Sequence, residues 1–182
     1  YAINASLVLS YVAMRKDDKA GLVTFNEYFD TFVPASKQVG QMQTLLENLY
    51  KQETTFGETD FSALCGHLGK HVNKRSFLVL YTNFSNMTSL NRQLVYLQQL
   101  ARQHRVLVVF FEDADLKEYI AGKSATTEDY YRHVIAEKFA FEKRLIVSTL
   151  KQHGIYSLLT TPDKLSIDVI NKYLEMKSRQ LL

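Results

Sequence analysis

The stretch Ser76 to Ser85, SFLVLYTNFS, constrains the fold more than any other part of the chain. An uninterrupted apolar run follows Lys74-Arg75 and ends in a small polar cluster at Asn83, Ser85 and Asn86. Such a run reads as a fully buried parallel strand whose carboxyl end opens into a loop. A second run of the same kind, Arg105 to Phe111 (RVLVVFF), ends at Glu112-Asp113, and between the two Ser89 to Gln103 carries apolar residues at helical spacing. Buried strand, amphipathic helix and buried strand in succession call for a parallel crossover and hence an α/β fold. Ligands of open α/β sheets bind at the carboxyl ends of the strands. Thr82, Asn83 and Ser85 are therefore the first place to look for function.

The flanks fit the same class. Tyr1 to Arg15 has helical spacing but no capping side chain at its start, which suggests that something lies upstream in a longer protein. Ala20 to Phe25 and Tyr28 to Val33 read as an antiparallel hairpin across Asn26-Glu27, with Pro34 stopping the second strand. Lys37 to Lys51 is helical through Val39, Met42, Leu45, Leu46 and Leu49, and Gln52 to Glu58 is a loop. Thr59 or Asp60 caps a helix whose apolar face is Phe61, Leu64, Cys65, Leu68 and Val72.

After Phe111 the chain makes a detour longer than a crossover needs. It holds a short helix near Ala114 to Ile120, a capping box at Thr126 and Asp129, and a long helix to His153 ended by Gly154. Ile155 to Leu159 is a last strand and Ser166 to Arg179 a last helix. With 182 residues, 46% of them hydrophobic, the chain can bury one substantial core and reads as one domain over 1–182. The net charge of +3 and scattered basic residues, densest at Arg102, His104 and Arg105, argue against nucleic acid as a partner. A single cysteine excludes an internal disulfide framework. No apolar stretch reaches the roughly 18 residues that span a bilayer, and a cytoplasmic location is the default for a chain whose parent could be anchored upstream.

Taken together, the order hairpin, helix, G-x-T-D loop, helix, apolar strand ending in T-N-x-S, helix, apolar strand resembles a von Willebrand factor A-type domain lacking its first strand. More closely, the chain resembles the bacterial family called domain of unknown function fifty-eight, through KAGLVTF (Lys19 to Phe25), Ser76 to Asn83, HRVLVV (His104 to Val109), ATTEDY (Ala125 to Tyr130) and NKYLEMK (Asn171 to Lys177). The resemblance implies a Rossmann-like three-layer sandwich, mostly parallel with one antiparallel edge hairpin. It also implies a cation site of three loops, in which Thr59 matches the threonine and Asn83 stands where an aspartate would be. The D-x-S-x-S strand would precede Tyr1. In the resembled fold that strand lies between Ala20 to Phe25 and Ser76 to Thr82, so without it the sheet has two uncovered edges. An amide in place of a carboxylate weakens a Mg²⁺ site. The expectation is thus a degenerate site at Thr59 and Asn83, no cofactor in this chain, and Mg²⁺ only in a longer protein.

Other candidates carry weaker signals. His67 and His71 lie four apart on one helix, yet Leu68 stands where a zinc-protease motif has Glu, and no third ligand is in view. Gly66 to Lys70, GHLGK, lacks the spacing and final Ser/Thr of a phosphate loop. Cys65 belongs to an apolar face and reads as a core thiol. Glu112, Asp113 and Asp115 could support acid–base chemistry, but acids there more often cap a following helix. Tyr130, Tyr131, Phe139 and Phe141 could form a partner surface, although helical spacing assigns most of them to the core.

The expected function is a non-enzymatic protein-interaction module. The resemblance implies a MoxR-type AAA+ ATPase as partner, in the assembly or maturation of other proteins. The binding surface is the rim bearing Thr59, Asp60, Asn83 and Ser85, extended by the long helix. The alternatives are a metal-dependent ligand-binding domain or a hydrolase-like α/β enzyme using the rim acids.

Overall fold

The computed structural model describes residues 1–26, 29–52, 59–84, 86–112 and 127–182. In chain order the elements are α1 (Ala2–Arg15), β1 (Ala20–Phe25), β2 (Phe29–Ser36), α2 (Gln41–Tyr50), α3 (Phe61–His71), β3 (Phe77–Tyr81), α4 (Met87–Gln103), β4 (Arg105–Phe111), α5 (Thr127–Gln152), β5 (Tyr156–Thr160) and α6 (Leu165–Ser178). They form two compact units, Tyr1–Arg75 with Leu165–Leu182, and Ser76–Lys164. The class is Rossmann-like α/β, but the strands divide into a β1-β2 sheet and a β3-β4-β5 sheet rather than one continuous ladder.

In the first unit β1 and β2 pair antiparallel. Pro34 does not stop β2, which continues to Ser36. The register explains why: Leu22 faces Val33 while Ala20 faces Ser36, so two steps on β1 oppose three on β2. Such a bulge tolerates a residue with no N–H. Gln41 closes the bulge from outside, its Nε2 donating to the Ala20 carbonyl at 2.8 Å and to the Pro34 carbonyl at 3.0 Å. Gly21 lies against the bulge so closely that a Cβ there would meet the Ala35 nitrogen and the Val33 oxygen at 2.8 Å each.

Helix α2 begins at Gln41, four residues later than its apolar spacing suggests, because Gly40 adopts a φ of 91° that no helix continues through. Val39 consequently stands outside the helix and is fully exposed, not part of the apolar face. Ala20, Val33 and Leu45 form the buried core here, with Leu7, Met14 and Leu22 packed against them. Helix α6 buries Leu165, Val169, Tyr173 and Met176 and packs on α1. Its Lys177 donates to Asp18 Oδ2 at 2.6 Å and to the Lys16 carbonyl at 2.9 Å.

The second unit is a parallel sheet in the order β3-β4-β5, with Phe77 opposite Arg105 and Leu107 opposite Tyr156. The central strand is β4, and Val106 through Phe110 are at most 2% exposed. β3, by contrast, is half-buried along its whole length. The equally apolar β3 sequence therefore belongs to an edge of this sheet, where a strand has one neighbour, whereas the fully buried position falls to β4. Leu90, Leu97 and Leu100 of α4, and Ala136, Ile146 and Leu150 of α5, complete the core. α4 is capped by Asn86, whose Oδ1 accepts from Ser89 N at 2.9 Å. Just past the end of α5 the chain turns at Gly154, φ 71°, with the Ile155 N–H donating to the Leu150 carbonyl. His104, from the basic knot, is buried and its Nδ1 accepts from Ser76 N at 3.3 Å. The expected short helix near Ala114 to Ile120, the capping residue Thr126 and the turn residues Glu27 and Tyr28 lie outside the described residues.

Candidate functional site

The rim residues are distributed over both units. In the first, Thr59 and Asp60 immediately precede α3, and both are exposed. Asp60 is the N-cap: its Oδ1 accepts from Ser62 N at 2.7 Å and Ala63 N at 3.1 Å. Two of the helix's otherwise unsatisfied donors are thereby paired. The Asp60 N–H also donates to the Asn26 carbonyl at 2.9 Å, fixing the entry to α3 against the end of β1. The carboxylate is thus held rigidly, which is the capping role the sequence indicates.

In the second unit the chain leaves β3 through Thr82, whose N–H donates to the Val109 carbonyl at 3.0 Å and continues the ladder one residue past the strand. Asn83 is exposed, while Phe84, the one apolar residue in the polar cluster, is 2% exposed and anchors the turn. Ser85 lies outside the described residues. Lys143 of α5 reaches this turn. Its ammonium donates to Asn83 Oδ1 at 2.8 Å and to the Phe84 carbonyl at 2.7 Å, and lies 5.6 Å from the centre of the buried Phe110 ring. Charge-assisted bonds of this length are the stronger kind, and the ring face adds a further attraction. With its oxygen turned to Lys143, Asn83 presents its amide NH₂ in the other direction.

This geometry bears on the cation site implied by the resemblance. A divalent ion ligated by Asn83 Oδ1 would lie about 2 Å from that oxygen. It would also come within about 5 Å of the ammonium, a repulsion on the order of 7 kcal/mol at an effective dielectric of about 20. Among the described residues, the groups around Asn83 Oδ1, an amide and a lysine, do not suit such an ion. Nothing in the sequence points to Lys143, which is 60 residues from Asn83. Phe84 did leave a signal, being an apolar side chain among polar turn residues.

The remaining candidates resolve into structural roles where they are described. His67 and His71 stack face to face with centroids 4.0 Å apart and planes 12° apart, and Phe32 of β2 meets both rings at 5.2 and 5.5 Å. The pair packs α3 onto β2. Burial, then the neighbouring His71 and Lys70, hold the His67 imidazole below its ordinary pKa. Among the described residues no group of three His, Cys, Asp or Glu side chains could hold a metal ion. Cys65 is 6% exposed, and burial, with the Asp60 charge, pushes its thiol up to about 11, as for a core cysteine. Gly66 and Gly69 lie inside α3, so GHLGK is a helix segment and not a phosphate loop. Of the acids, Glu112 donates its N–H to the Thr160 carbonyl at 3.0 Å, while Asp113 and Asp115 lie outside the described residues.

The aromatic residues of α5 differ from their expected place in the core. Tyr130, Tyr131, Phe139 and Phe141 are 60, 65, 47 and 58% exposed, and Val134, Ile135 and Leu145 are exposed beside them. Among its described side chains the helix buries a narrow stripe through Ala136, Ile146 and Leu150. Apolar residues occur around most of its circumference here, so periodicity does not distinguish the covered stripe from the uncovered one.

Among the described residues no helix is long and apolar enough to cross a membrane. Residues 1–123 match the family model described as "Protein of unknown function DUF58". The matched stretch contains Thr59, Asp60 and Asn83 and ends before α5. No match was found among curated proteins or among solved structures.

Proposed function

The chain belongs to the DUF58 family, and on that premise we propose that it is a non-enzymatic protein-interaction module acting with a MoxR-type AAA+ ATPase in the assembly or maturation of other proteins. The observation that carries this reading is the state of Asn83: exposed, yet fixed by Lys143 on a turn anchored by Phe84. A polar group held rigid at a strand's carboxyl end loses little conformational entropy when a partner binds. Asp60, fixed by its cap, presents the same kind of group in the first unit. The recognition residues are then Thr59 and Asp60 in the first unit and Asn83 and Ser85 in the second, without a bound metal or other cofactor. The exposed aromatic face of α5 extends the surface, since Tyr and Phe are enriched in interface cores and contiguous exposed apolar patches mark interaction sites. An ATP-driven partner implies that the module faces the cytoplasm.

The test is the affinity of the purified chain for the ATPase, measured by interferometry with a triple variant, Thr59→Ala, Asp60→Ser and Asn83→Ala. Serine at 60 retains a capping oxygen, so α3 keeps its start. Loss of at least about tenfold in affinity, or about 1.4 kcal/mol, is expected with an unchanged circular dichroism spectrum. Undiminished binding would show that the rim is the wrong surface.

A further inference from the structure

Lys143 does at the end of β3 what a bound cation does. Two oxygens from consecutive residues, Asn83 Oδ1 and the Phe84 carbonyl, converge on its ammonium at 2.8 and 2.7 Å, with the Phe110 ring beneath it. One oxygen belongs to the exposed residue at the rim and the other to the buried anchor of the same turn, so a single charge fixes both. We propose that Lys143 is a tethered cation occupying the position against Asn83 that a divalent metal would need. The turn after β3 is thereby independent of metal, and its position is tied to α5. Because Lys143 lies beyond residues 1–123, the family match does not supply this contact. The inference concerns this unit alone and stands whether or not an ATPase is the partner.

A cation held by two oxygens and a ring face is slow to react and is not displaced by ions in solution. Acetylation of the intact chain by an N-hydroxysuccinimide ester, followed lysine by lysine by mass spectrometry, should modify Lys143 at least about tenfold more slowly than Lys37, which is half exposed. Millimolar Mg²⁺, Mn²⁺ or Ca²⁺ should leave the Lys143 rate unchanged. In Lys143→Met, which keeps the apolar stem, hydrogen exchange at Thr82 to Phe84 should accelerate about tenfold or more, and Lys143→Arg should restore most of the protection. Faster acetylation of Lys143 on adding Mg²⁺ would mean that the ion takes Asn83 from the lysine, and would overturn the proposal. So would unchanged exchange in Lys143→Met, or a Mg²⁺-induced rise in melting temperature that Asn83→Ala removes.

Discussion

The hydroxyl of Tyr173 donates to Asp18 Oδ2 at 2.5 Å, joining the last helix to the turn between the first helix and the first strand, 155 residues earlier in the chain. Lys177, one turn further along α6, donates to the same oxygen, so a single carboxylate organises both side chains. Burial raises the Asp18 carboxyl, but the hydrogen bonds from Lys177 and Tyr173 and the Lys177 charge outweigh it and hold the group below its ordinary 3.8. A carboxylate depressed in the folded state stabilises it above the unfolded value and loses that contribution as pH falls through the folded one. Asp18 is 41% exposed, which limits the effect by solvent screening. Asp18→Asn should cost about 1–2 kcal/mol in urea unfolding near neutral pH. The difference from wild type should shrink below about pH 4. A difference independent of pH would mean that charge plays no part.

The close approach of Gly21 to the bulged strand predicts a cost for any side chain there. The atoms a Cβ would meet are backbone, and backbone paired in a ladder cannot swing aside. Gly21→Ala should therefore destabilise by about 1–3 kcal/mol, the range for overpacking. Gly66→Ala, where a Cβ would meet nothing within 4 Å and the residue is helical, should be neutral or stabilising.

The order β3-β4-β5 predicts unequal sensitivity in two strands of similar sequence. Leu107→Ala, at a residue 0% exposed in the central strand, should cost about 2–5 kcal/mol. Leu78→Ala, half-buried on β3, should cost distinctly less. Equal losses in denaturant melts would contradict the edge assignment.

Exposure of the α5 aromatics predicts that Phe141→Glu changes stability by no more than about 0.5 kcal/mol. If these rings are instead part of the core, the charge is buried without a partner and the cost is several kcal/mol. Thermal melts of the variant separate the two.

These contrasts show which features a sequence can carry. The β4 run, the Asp60 cap, the core face of α3 and the Gly154 stop were legible because each is decided by residues adjacent in the chain. Pro34 reads locally as a strand stop because a bulge depends on register with a partner strand, and Val39 reads as part of an apolar face because the left-handed Gly40 that delays the helix leaves no mark in the periodicity. The half-buried rank of β3 is not legible in its apolar run because composition does not reveal how many neighbours a strand has. At the candidate site, Asn83 and Asp60 were legible as polar residues at element ends. Lys143 was not, since an exposed-helix lysine and one that grips a distant turn have the same local pattern. The exposed face of α5 was hidden by its abundance of apolar residues.

The most direct test of the central claim, that the rim is the protein-binding surface, is site-specific photo-crosslinking to the MoxR-type ATPase. A photoreactive residue is placed at Ser62 or Thr88, in the first turns of α3 and α4 next to the rim residues, or at Val95, an exposed position farther along α4. Crosslinked ATPase is expected from Ser62 and Thr88 and none from Val95. A complex that forms but crosslinks through Val95, or through neither rim position, would contradict it.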